Sequence, residues 1–141
     1  MAAMGTRRHR SFRFDPATLE RLEERARRTG QTQTALVERY VEEGLRLDDH
    51  PGIVFVDEPA GRRARVAGTG LDVWEVVETV QDNEGSIADA AAYLDVPERV
   101  VLDAMRYYAD FPYEIDAWSA DNARYWEEER QRMRRVADAI G

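Results

Sequence analysis

Residues 10–14, Arg-Ser-Phe-Arg-Phe, set the hardest constraint on what this chain can fold into. Polar and apolar side chains alternate, so the segment reads as one short strand with Phe12 and Phe14 on one face. Asp15-Pro16 stops it and starts a helix, Asp15 as N-cap and Pro16 at the first helical position, where its missing N–H is no loss. Leu19, Leu22 and Ala26 mark one helix face, and Gly30 ends it as a left-handed C-cap. Thr32 caps a second helix carrying Leu36, Val37, Tyr40, Val41 and Leu45. One strand and two short helices cannot close a core, and a lone strand leaves its backbone edge unpaired. Two copies solve both problems: the strands pair antiparallel, and four helices bury Phe12, Phe14, Leu19, Leu22, Leu36, Val37 and Tyr40 together.

Ser11-Phe12-Arg13-Phe14, the capped helix, Thr29-Gly30-Gln31-Thr32 and Ala35-Leu36-Val37 resemble the ribbon-helix-helix DNA-binding domain of antitoxins and small repressors. The resemblance covers the first third of the chain. It implies a homodimer, or a higher oligomer, whose paired strands lie in the major groove of operator DNA. Phe12 and Phe14 then face the dimer core while Ser11 and Arg13 face bases, with His9 beside them. Arg13 suits guanine O6 and N7 by its two-pronged guanidinium, and Ser11 serves several bases. The Thr32 end of the second helix offers backbone N–H groups to a phosphate.

The net charge of −8 hides an asymmetry. Residues 1–46 hold ten Arg against seven Asp and Glu, giving +3, and the first fourteen hold four Arg and no acid. Residues 47–141 hold ten Arg against twenty-one acids, giving −11. A positive N-terminus favours a phosphate backbone; the acidic remainder repels one and favours a protein. With no cysteine there is neither a disulfide frame nor a thiolate metal site, which fits a reducing, cytoplasmic setting. Apolar runs are only a few residues long and the basic start lacks an apolar h-region, so neither a membrane span nor a signal peptide is expected.

Asp48-Asp49-His50-Pro51-Gly52 is a turn-rich break, and His50 reads as the end of a linker, bonding locally before Pro51. The spacing predicts strands at Ile53–Val56 and Arg63–Ala67. Helices follow, capped by Asp72 or Thr69 and by Ser86, and another comes after Val96-Pro97. His50-Pro51-Gly52-Ile53, Gly61, Arg65-Val66, Gly68-Thr69, Val73-Trp74, Tyr107-Tyr108 and Glu114-Ile115-Asp116 are similar in order to a small prokaryotic family known as domain of unknown function 433, over about residues 48–117. That family resembles antitoxins encoded beside PIN-like toxins. Ile87 to Tyr108 also reads as a helix-turn-helix. Its second helix would expose Glu98, Arg99, Asp103 and Arg106, and two acids in four sit badly against phosphates. It is therefore expected to serve as a packing module or second dimer contact.

Ser119 or Asp121 can cap a final helix to about Ile140. Trp126, Met133 and Ile140 recur at steps of seven, with Val136 and Ala137 between them. Its apolar stripe either packs on its own domain or on its copy, or docks in a partner's groove with aromatic anchors and an arginine. The antitoxin resemblance points to the groove, with Trp118, Tyr125, Trp126, Arg130, Met133 and Arg134 as toxin-binding residues. Among Arg124, Arg130, Arg132, Arg134 and Arg135, any one could cover the toxin's metal-binding carboxylates.

Chemistry of other kinds is not expected. His9 and His50 stand in different modules without ligand spacing, Gly68-Thr69-Gly70 lacks the lysine and glycines of a phosphate loop, and Ser11, Ser86 and Ser119 have no neighbouring base. No enzyme, metal or cofactor follows. The expected fold is mainly α: a ribbon-helix-helix with a swapped β-ribbon dimer (1–47), a small β-hairpin plus helical, winged-helix-like domain (48–117), and a C-terminal toxin-binding helix (118–141). The expected function is that of an antitoxin of a type II toxin–antitoxin module, repressing its own operon and neutralising a PIN-like ribonuclease. The alternative is a stand-alone ribbon-helix-helix transcriptional regulator with a C-terminal oligomerisation or sensing domain.

Overall fold

A computed structural model describes residues 5–141. The fold is mainly helical, with six helices and one two-stranded antiparallel sheet among the described residues. It divides into two compact units, the first ending at Glu43 and the second running from Gly44 to Gly141.

In the first unit the local signals act as the sequence suggests. Helix α1 (Pro16–Thr29) starts where Asp15 accepts the Thr18 N–H at 2.8 Å, which also holds the Asp15 carboxyl below the usual carboxylate range. It ends at Gly30, whose φ of 69° lets its N–H reach the Ala26 carbonyl at 3.0 Å. Thr32 Oγ1 then accepts the Ala35 N–H at 3.1 Å and opens α2 (Gln33–Asp49). Residues 10–14 differ from expectation: they form no strand in the single chain. A strand exists only where a ladder partner accepts its backbone bonds, and the one sheet among the described residues lies in the second unit.

The second unit begins with a hairpin, β1 (Ile53–Glu58) and β2 (Gly61–Val66), registered Ile53 to Val66 and Glu58 to Gly61. Gly61 has a φ of 134°, which a side chain would strain. Helix α3 (Val73–Asp82) packs Val73, Val76, Val77 and Val80 inward. Helix α4 (Ile87–Leu94) is capped by Ser86, which accepts the Asp89 N–H at 3.1 Å. Asp95 and Pro97 turn the chain into α5 (Glu98–Asp110), where Val100, Val101, Ala104 and Tyr107 close the core. These side chains, with Ile53, Val66 and Ile115, form one continuous buried cluster.

The last helix starts earlier than the sequence suggests. Helix α6 runs from Pro112 to Ile140, because Pro112 occupies its first turn and Ile115 is buried against the core. Ser119 and Asp121 lie inside this helix and cap nothing. Ile115 thus pins the helix at its N-terminal end. Ile115→Ala should cost about 3 kcal/mol in a denaturant titration; a loss below about 1 kcal/mol would mean that the first turns of α6 are not anchored there.

Candidate functional site

The first unit leaves most of its apolar surface open. Leu36 is its one fully buried side chain among the described residues, while Phe12 is 72% exposed and Phe14, Tyr40 and Val41 are exposed as well. Leu19, Leu22 and Val37 are half-buried. Phe14, Leu22, Val37, Tyr40 and Val41 line an open groove of about 480 Å³ between α1 and α2, rimmed by Arg21 and Arg25. Among the residues expected to read DNA, the structure brings His9 and Ser11 together, ring Nε2 to Oγ at 3.0 Å. Arg7 pairs with Glu38 at 2.8 Å. Arg8, Arg10 and Arg13 are exposed and form no ion pair among the described residues. Three uncompensated guanidinium groups thus stand on one short extended segment. Thr32 spends its hydroxyl on its own helix cap.

The second unit holds two buried polar clusters that the sequence does not announce. Arg46 donates to Tyr107 Oη at 2.6 Å and to Glu114 Oε1 at 2.7 Å, and Tyr107 donates to Glu114 Oε2 at 2.6 Å. The guanidinium also lies 3.9 Å over the Phe111 ring. Burial, then the Glu114 carboxylate, pushes the Tyr107 hydroxyl well above its ordinary range, so it stays a donor. Burial disfavours the Arg46 charge, but Glu114 outweighs it and holds the guanidinium charged. The His50 backbone bonds locally, its carbonyl accepting the Ile53 N–H at 3.0 Å, but its ring does not: Nε2 lies 2.7 Å from Asp110 Oδ2, sixty residues along the chain, with the ring edge-on to Tyr107. A helix end and a helix start are thereby tied to one aromatic cluster. In sequence these are isolated residues on separate elements; no local period links them.

In the other cluster, Asp72 is buried between Arg63 and Arg65, each at 2.9 Å, with the Trp74 indole N–H at 3.2 Å. A carboxylate removed from water needs such partners. Arg63 in turn lies 4.7 Å over the Trp118 ring. Trp118, expected to meet a toxin, is therefore partly covered within its own unit. Among the described residues no group of three or more His, Cys, Asp or Glu could hold a metal ion. No helix of the described residues is long and apolar enough to cross a membrane.

Beyond Trp118, α6 presents an open stripe. Tyr125 and Trp126 are exposed with rings edge-on at 5.5 Å, and Met133, Val136 and Ile140 continue the stripe. Arg124 pairs with Asp121, Arg130 with Glu127 and Arg132 with Glu129, each three residues apart on the same helix. Arg134 and Arg135 make no ion pair among the described residues, and only Arg134 lies beside Trp126, Arg130 and Met133 on the stripe.

The surface of the α4–turn–α5 pair is acidic where a recognition helix would need cations, and Arg106 already faces Asp103 at 3.9 Å. Compared with protein-family models, curated proteins and solved structures, the chain matches none.

Glu75, in the first turn of α3, accepts the Asp72 N–H at 3.4 Å, and burial raises its carboxyl above the usual value. A raised folded value favours the protonated form, so this group helps at acid pH and costs stability once pH climbs past the carboxylate range. Glu75→Gln keeps the acceptor and removes the charge. Its melting temperature should exceed that of the native chain at pH 7 and converge with it near pH 4; equal values at both would leave the burial effect without consequence.

Proposed function

We propose that this chain is an antitoxin-like repressor: its first unit dimerises through a shared β-ribbon that reads operator DNA, and its C-terminal helix neutralises a PIN-like ribonuclease. The observation that carries the reading is the state of residues 10–14. Among the described residues the segment has no ladder partner, its phenylalanines stay exposed, and Arg8, Arg10 and Arg13 form no ion pair. A second copy supplies the missing backbone bonds and covers Phe12, Phe14, Leu22, Val37 and Tyr40, leaving Ser11, Arg13 and His9 on the opposite face of the ribbon. That face, with Thr32 at the start of α2, is a sequence-reading and phosphate-positioning surface.

The tail supplies the second activity. Tyr125, Trp126 and Met133 are large exposed anchors, and Arg134 is the guanidinium beside them that forms no ion pair among the described residues. Docked in a ribonuclease groove, Arg134 neutralises the acidic cluster that such an enzyme uses to hold its metal. Trp118 drops out of this contact set because Arg63 and the hairpin engage it.

Arg13→Ala should abolish the gel shift of the chain's own upstream DNA at moderate salt without changing the dimer mass. An unchanged shift would remove the ribbon from the DNA interface. Truncation after Asn122, which spares Trp118, should keep the shift but fail to rescue cells from the cognate ribonuclease; rescue by the truncated chain would sink the tail assignment.

A further inference from the structure

The outer half of α6 carries more order than a docking peptide needs. Ala123, Trp126, Arg130, Met133, Ala137 and Ile140 follow one another at steps of three, four, three, four and three. They lie on one continuous helix and every one is exposed, Met133 at 60% and Ile140 at 82%. Strict alternation of three and four is the spacing that keeps one seam facing another helix over successive turns. The stripe that faces solvent therefore has the period of a two-helix seam.

The side-chain sizes say how that seam is filled. From its N-terminal end the stripe reads small, large, long and charged, large, small, large. Laid parallel against an identical helix in register, Trp126 meets Trp126, the alanines leave gaps, and two Arg130 guanidinium groups face each other between apolar layers. Laid antiparallel with the two-fold axis between 131 and 132, every layer becomes complementary. Ala123 lies opposite Ile140, Trp126 opposite Ala137, and the Arg130 stem runs along Met133 while its head stays at the rim beside Glu127 of its own helix.

Charge is compatible with the same register. Glu127 and Arg134 each follow a stripe residue, Trp126 and Met133, on the same flank of the helix. In the antiparallel layout Glu127 of one copy meets Arg134 of the other, twice by symmetry. Arg134 has no ion pair of its own among the described residues, so it is available.

We propose that residues 123–140 pair antiparallel with the same segment of a second copy. The pairing does not rest on the repressor or toxin reading, since it uses this chain alone. It does share its face with the toxin contact, so the two occupants exclude each other, and the free protein covers Trp126 and Met133 with its own copy.

The chain has no cysteine, so introduced thiols report without background. Full-length A123C and I140C chains, co-expressed and mildly oxidised, should give a disulfide-linked heterodimer. Either variant alone should give none, because in the antiparallel layout like positions lie about 25 Å apart along the axis. Both positions are exposed, so folding is not at stake. Adding Arg134→Glu to both chains should cause loss of the heterodimer, and adding Glu127→Arg as well should recover it. Absence of the heterodimer, or cross-linking by either variant alone, would overturn the proposal.

Discussion

Apolar surface that one copy cannot bury governs this protein. Each buried side chain of Leu or Phe size contributes about 2 kcal/mol, and ordering one residue costs about as much. A first unit with only Leu36 out of water cannot meet that cost alone. Its helices are capped and its turn is well formed, but caps add only about 1 kcal/mol each. Local structure is therefore specified without being secured. The deficit is the physical ground for expecting a second copy, and the basic segment at its edge is the ground for expecting an anion.

The second unit obeys the opposite rule. Its hairpin, α3, α4, α5 and the start of α6 bury a continuous apolar cluster, so it has the core the first unit lacks. Its charged clusters are paired: Asp72 lies between two arginines and an indole, and Arg46 between a phenol and a carboxylate, while the buried Arg63 Nε has no hydrogen-bond partner. Buried charges are expensive unless paired in this way, so these clusters fix geometry rather than add much stability. Gly52 marks how closely the parts fit. A side chain there would strike the Asp103 carboxylate at 2.4 Å.

The surfaces proposed for function lie outside this core. Helix α6 is anchored by Ile115 and tied by Trp118, then continues as a helix with little of its own chain against it. Helical order in such a segment comes from propensity and same-helix ion pairs, each adding a few tenths of a kcal/mol. It therefore frays readily and gains order from whatever covers its stripe. On the readings proposed above, a copy and a foreign protein would be rival partners for one surface, which would couple assembly of the free chain to capture of a target.

Much of the secondary structure was legible because it depends on neighbours a few residues away. Asp15-Pro16 and Gly30 bounded α1, Thr32 opened α2, Ser86 opened α4, and alternation marked the hairpin strands. The helical repeat of Trp126, Met133 and Ile140 was likewise readable, but whether that stripe packs on its own domain or stays open was decided by the tertiary structure. Three further things were decided only in three dimensions. The His50 ring found Asp110, Arg46 found Tyr107 and Glu114, and Trp118 came under Arg63. None shares a period or a short spacing with its partner. Burial makes such pairs, because a charge or a hydroxyl leaving water takes whatever counterpart the packing brings within 3 Å. The strand expected at 10–14 belongs to a different kind again: alternation names its two faces, but a ladder needs a second backbone, and among the described residues none lies against this segment.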